Sequence, residues 1–224
     1  MTRKSDEQIH QEVLRELRWD SRVDDTEVGV EVDQGVVTLT GTVASYAKKL
    51  AAQAAAHRVT GVLDVANDIR VKVPGSEGRT DTEIAQAVRH ALEWDVLVPD
   101  TRITSTVTDG WVTLEGRVDR LRERADAERT VRYLQGVRGV TNKLGVRPST
   151  VQPERVREVI EEALERCAAR EAEREAERLQ VLVSDGVVTL TGRVRSYEEK
   201  RAVLGAVSHA PGVHTVTEHL RIEP

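Results

Sequence analysis

The chain has 224 residues, with 33 Lys and Arg against 38 Asp and Glu, and 39% of its residues are apolar. A net charge of −5 argues against a general nucleic-acid binder and against docking on an anionic membrane by simple charge attraction alone. The single cysteine, Cys167, rules out an intrachain disulfide, and the absence of Phe leaves Val, Leu, Ile and Ala to build the interior.

The first residues carry no apolar stretch of the signal-peptide kind and no cysteine for a lipid anchor, and no run approaches transmembrane length. The expectation is a cytoplasmic chain without a transmembrane segment. The first predicted element is a helix with Ile9, Val13 and Leu17 on one face, opened by Ser5 with Gln8 as its cap. A strand follows, in which Val28, Val30 and Val32 alternate with Gly29, Glu31 and Asp33. Gln34-Gly35 makes a tight turn, and the return strand Val36-Val37-Thr38-Leu39-Thr40-Gly41 continues to Val43. A second helix turns Ala52, Ala55, Ala56 and Val59 inward. Gly61-Val62 then leads into a short last strand ending at Val71.

The pattern recurs twice. The turn and return strand reappear as Asp109-Gly110-Trp111-Val112-Thr113-Leu114-Glu115-Gly116 and as Asp185-Gly186-Val187-Val188-Thr189-Leu190-Thr191-Gly192, 75 and then 76 residues further on. The second unit opens with Ile84, Ala87, Val88, Ala91 and Leu92 on one helical face, capped by Asp81. The third opens with Val156, Val159, Ile160, Ala163 and Leu164, with Pro153 near the start. The second helices turn Ala127, Thr130, Val131 and Leu134, then Val203, Ala206, Val207 and Ala210, inward. Gly136-Val137 and Gly212-Val213 start the last strands, which end at Val146 and Ile222. The predicted fold class is α+β: three tandem αββαβ units over residues 5–73, 79–147 and 152–222, each a three-stranded sheet with two helices on one face. Linkers at 74–78 and 148–153 are short and stiffened by Pro, so the units are expected to pack or to hold a limited range of orientations. The third unit has four extra residues before its first strand, and Arg170 to Arg178 reads as a solvated extension of its first helix.

The pattern D-G-x-V-T-L-x-G, followed some residues later by Gly-Val before a terminal strand, resembles the BON domain, named for bacterial osmotically induced and nodulation-related proteins. Its most specific residues here are Gly35, Gly41 and Gly61, repeated as Gly110, Gly116, Gly136 and as Gly186, Gly192, Gly212. Asn67 and Asn142 also fit the family's last strand, where the third unit has Glu218. The resemblance implies an αββαβ fold and a non-enzymatic role. Family members are described as phospholipid-attachment modules of envelope or osmotic-stress proteins, some of them chaperone-like. One relative joins this domain to a LysM module and binds potassium; no LysM-like segment is apparent here. The functional expectation is therefore a binding protein that contacts phospholipid headgroups or partner proteins under osmotic or envelope stress. The alternatives are a stress chaperone or assembly scaffold using exposed sheet faces, and a potassium or small-ion sensor.

No catalytic constellation is legible, and no cofactor or metal is expected. His10, His57, His90, His209, His214 and His219 never share a repeat position, and no metal-ligand spacing or phosphate-binding loop occurs. Three features are candidate contact sites. Arg122, Arg129 and Arg132 are predicted to form an exposed basic face on the second helix of the middle unit, which carries 12 Lys and Arg against 11 Asp and Glu and is the only unit not net acidic. Trp111 stands where the other copies have Val36 and Val187 and is predicted to point away from the helices, toward a neighbouring unit, another subunit or a lipid interface. Trp19 and Trp94, at matching positions after the first helices, are expected to close the ends of their cores, with a membrane-interface role as the alternative.

Overall fold

The computed structural model describes residues 4–73, 79–147, 153–168 and 179–223. The first unit runs α1 (Asp6–Trp19), β1 (Val28–Asp33), β2 (Val36–Val43), α2 (Tyr46–Arg58), β3 (Asp64–Asn67) and β4 (Arg70–Val71). The second repeats it as α3 (Asp81–Trp94), β5 (Ile103–Thr108), β6 (Trp111–Val118), α4 (Leu121–Val131), β7 (Gly139–Asn142) and β8 (Gly145–Val146). The third has α5 (Pro153–Ala168), β9 (Leu179–Ser184), β10 (Val187–Val194), α6 (Tyr197–Ser208) and β11 (Thr215–Ile222). The α+β layer and the three-unit organisation follow the sequence pattern. The predicted helical extension at 170–178 lies outside the described residues.

In each unit the central strand pairs antiparallel with the first and parallel with the last, so the last strand is reached by a crossover through the second helix. The turn between the first two strands has positive φ at both central residues, 50° and 82° at Gln34-Gly35 and 50° and 74° at Asp109-Gly110. That is the type I′ geometry whose twist matches a hairpin. The glycine closing the motif is required by a close approach: a Cβ on Gly41 would lie 2.1 Å from the Glu27 carbonyl oxygen, and one on Gly116 would lie 2.1 Å from that of Arg102.

Ser5 and Gln8 form the expected capping box. In the second unit the cap is Thr80, boxed with Glu83, and not Asp81. Asp81 is the first helical residue, and its carboxylate accepts the backbone N–H groups of Asp109 and Gly110 at 2.8 and 2.9 Å. Asp6 holds Gln34 and Gly35 in the same way, both at 2.9 Å. A carboxylate at a helix start thus ties the helix to the hairpin turn, where the macrodipole also favours negative charge.

The asparagines explain a difference in the last strands. Asn67 donates from Nδ2 to the Lys49 carbonyl and to Gln53 Oε1, and its Oδ1 accepts from the Ile69 N–H. Asn142 repeats this with Arg124, Glu128 and Leu144. These bonds coincide with the break that splits the edge into β3 and β4, and into β7 and β8. The third unit has Glu218 there, paired with Lys200 at 2.8 Å, and β11 runs unbroken for eight residues.

Each unit has its own apolar core. Ile9, Val13 and Leu17 meet Val37, Leu39, Ala52, Ala55 and Ala56 in the first. Ile84, Val88, Leu92, Val112, Leu114, Ala127 and Val131 do the same in the second. Val156, Ile160, Val188, Leu190, Val203 and Val207 do so in the third. Most predicted inward positions lie in these cores, with small residues in the second helices where they cross the sheet; Ala87, Ala91, Thr130 and Ala206 are only half-buried, and the side chains of Ala163 and Leu164 lie outside the described residues.

Candidate functional site

The face of each sheet opposite its core carries one large exposed apolar side chain. Val36 in β2 is 39% exposed, Trp111 in β6 49%, and Leu182 in β9 66%. Trp111 points away from the helices, as predicted, but its partner lies in its own sheet and not in a neighbouring unit. The indole Nε1 donates to Thr141 Oγ1 at 2.7 Å. The ring covers Gly139, where a Cβ would fall 2.4 Å from it. Trp111 and Gly139 are cross-strand neighbours in β6 and β7, so the missing side chain on one accommodates the large one on the other.

The basic face is less free than its sequence suggests. Between Arg122 and Arg129 lies Asp126, which is 4% exposed. Arg129 contacts its Oδ1 at 2.7 Å and Arg122 its Oδ2 at 3.5 Å. A carboxylate removed from water requires such partners, so the two arginines are half-exposed but electrostatically engaged. Asp126 reads in sequence as one more solvated acid among Glu123 and Glu128. The equivalent residues are alanines, Ala51 buried in the first unit and Ala202 exposed in the third, so the alanine at this repeat position is a sequence hint and its burial is not legible.

Arg132 sits apart from that pair. Its guanidinium lies 4.7 Å from the centroid of the Tyr133 ring, and among the described residues its buried Nε has no hydrogen-bond partner. Residues 132–136 form one wall of a cleft whose other wall is Ala44, Ser45, Tyr46 and Ala47 of the first unit.

Trp19 and Trp94 do not close their cores. Both are 85% exposed. The apolar stripe ends at Leu17 and Leu92, and two residues further the helix has turned these positions outward. The aspartate after each Trp turns inward instead. Asp20 is 9% exposed and receives Arg22 Nε and Nη2 at 2.8 and 2.7 Å and Arg58 Nη2 at 3.1 Å. Hydrogen bonds from Arg22, foremost, hold its carboxyl well below the usual carboxylate range against the opposing effect of burial. Asp95 accepts Thr130 Oγ1 at 2.7 Å and the Leu97 N–H at 3.0 Å. Beyond Trp94 the loop exposes Val96 and Leu97 as well.

The units meet through the first residues of their second helices. Tyr46, Leu121 and Tyr197 occupy one repeat position and open α2, α4 and α6. Tyr46 packs on the core of the second unit, and burial raises its phenol above the ordinary value. Leu121 packs on the core of the third. Tyr197 returns to the first unit, stacking on His57 near the end of α2 with 3.5 Å between ring centroids and 9° between planes. Each contact joins unlike surfaces, and after three units the series closes on itself. This is the head-to-tail logic that makes rings. The sequence alone assigns no role to Tyr46, Tyr197 or His57, because that role appears only when unit meets unit.

Among the described residues no group of three or more His, Cys, Asp and Glu side chains could hold a metal ion, and no helix is long and apolar enough to cross a membrane. The BON domain model matches residues 5–73, 80–148 and 156–224. The chain belongs to the BON domain family. This BON-domain chain is similar to osmotically-inducible protein Y of Escherichia coli (strain K12), at 34% identity over 125 residues, 53% of this chain and 61% of the relative. It thus spans about three fifths of that relative's length. Two solved structures from Chlamydia trachomatis are also similar. One is from structural studies of CdsD, a structural protein of the Type III secretion system, and the other is of the CdsD C-terminal domain. Both are 13% identical and align over 96% of this chain, and over 91% and 96% of their own chains respectively. Their TM-scores are 0.26 and 0.27.

Proposed function

We propose that this BON-domain chain is a non-enzymatic binding protein of the osmotic-stress response that works through its outer faces, contacting phospholipid headgroups or a partner protein. One observation supports this reading above others. The second helices are used to join the units, while the opposite sheet faces stay uncovered with Val36, Trp111 and Leu182 exposed on them. Each is a single apolar side chain on an exposed sheet face, where it is free to meet a partner. Co-flotation with zwitterionic and anionic vesicles at low salt tests the lipid half. Binding that weakens with salt and is lost in Arg132→Ala supports headgroup contact, and no co-flotation with either vesicle removes it.

A second reading is a chaperone or assembly scaffold, favoured by Trp111, whose ring is half-exposed and held in place by Thr141. A rigid aromatic on a flat face costs little entropy on binding. Suppression of client aggregation that falls in Trp111→Ala, with vesicle binding unchanged, selects it over lipid contact.

A further inference from the structure

We propose that the His57–Tyr197 contact is a latch that closes the three units into a ring at neutral pH and releases it in mild acid. The first and second units, and the second and third, are each joined by the chain itself. The first and third are joined by side chains alone, so opening their seam leaves the chain intact and all three cores untouched. At that seam His57 is 7% exposed and lies flat on Tyr197. Its Nδ1 is buried, and among the described residues it has no hydrogen-bond partner. A neutral imidazole can present an unprotonated Nδ1 there at modest cost. A protonated one would bury an N–H and a positive charge with no acceptor. Stacking a cation on a phenol ring is favourable, but less so than the loss of water around that cation is unfavourable.

The charged groups acting on His57 come from two elements. Asp64 on β3 favours the charged form. Lys200 on α6 opposes it and is itself paired with Glu218 at 2.8 Å. Burial outweighs both and lowers the imidazole from 6.5 to about 4. A lowered imidazole stabilises the closed seam fully above about 6.5, and that stabilisation is lost as pH falls toward 4. The shift corresponds to a closed state disfavoured roughly 300-fold once His57 is fully protonated.

The test uses the full chain. NMR of the histidine Cε1–H groups should show His57 titrating below its ordinary value in the wild type, in step with the opening of the seam, and near its ordinary value in Tyr197→Ala. Small-angle scattering should show the wild type expanding between pH 7 and pH 4.5 with its far-ultraviolet circular dichroism unchanged, while His57→Phe, which keeps a flat ring and cannot titrate, stays compact. Three results would overturn the latch: a His57 titration indifferent to Tyr197→Ala, a His57→Phe chain that expands alongside the wild type, or loss of secondary structure over the same pH range.

Discussion

Arg129 of α4 reaches the buried carboxylate of Asp126 on the same helix at 2.7 Å, and this pairing changes how the middle unit's basic surface behaves. Without it, two arginines would face solvent as free cations. With it, they neutralise an acid that water cannot reach.

Replacing Asp126 by Ala should therefore cost little stability, within about 1 kcal/mol, because the first unit already holds a buried alanine, Ala51, at the equivalent position. The same change should raise affinity for anionic vesicles by releasing Arg122 and Arg129. Urea unfolding and vesicle sedimentation on one preparation check both. Lower affinity with unchanged stability would refute the account of that face.

Asp20 offers a contrast. Its carboxyl is depressed in the folded chain, so it contributes stability above the unfolded carboxylate value near 3.8, and that contribution is lost as pH falls through and below it. Asp20→Asn should cost roughly 2 kcal/mol at pH 7, the scale of hydrogen bonds to a charged group. The difference from wild type should shrink as pH falls below 4. Chemical denaturation at pH 7 and pH 3 measures both.

Gly41→Ala and Gly116→Ala should each destabilise by about 2–4 kcal/mol, since each glycine has a positive φ and its new methyl would meet a backbone carbonyl oxygen at 2.1 Å. Glycine 29 is a control. Its Cβ would meet the side-chain hydroxyl of Thr40, which can rotate away, so Gly29→Ala should cost under about 1 kcal/mol. Equal losses at Gly29 and Gly41 would contradict the argument.

Gly139→Ala should drive the Trp111 ring off the sheet. Trp19 and Trp94 are already exposed, so Trp111 supplies the blue side of the emission band. A red shift relative to wild type should follow in Gly139→Ala, and no further shift when Gly139→Ala is added to Trp111→Phe. An unshifted spectrum in the single variant would show that the ring does not rest there.

Much of a single unit was legible in the chain because its causes are local. Gly35 and Gly110 announce turns that require positive φ, and Ile9, Val13 and Leu17 share a face because a helix repeats every 3.6 residues. Val-Thr-Leu alternates because strand side chains alternate, and a pattern repeated in register multiplies each weak signal. Asp81 was read one position out, since a cap and a first helical acid look alike until the hairpin turn it holds is in place.

Other features depend on groups distant in sequence. That Asp20 turns inward while Trp19 turns outward depends on Arg22 and Arg58 converging on one carboxylate. That Asp126 is buried depends on where α4 settles in its unit. The union of three units through Tyr46, Leu121 and Tyr197 was invisible, because residues at one repeat position carry no sign of which surface will receive them. By itself the sequence determined a thrice-copied layered module, whose turns and stripes act within a few residues. The tertiary structure alone decided which faces stay bare and which are spent joining the copies, because burial depends on the surfaces that the rest of the chain brings near.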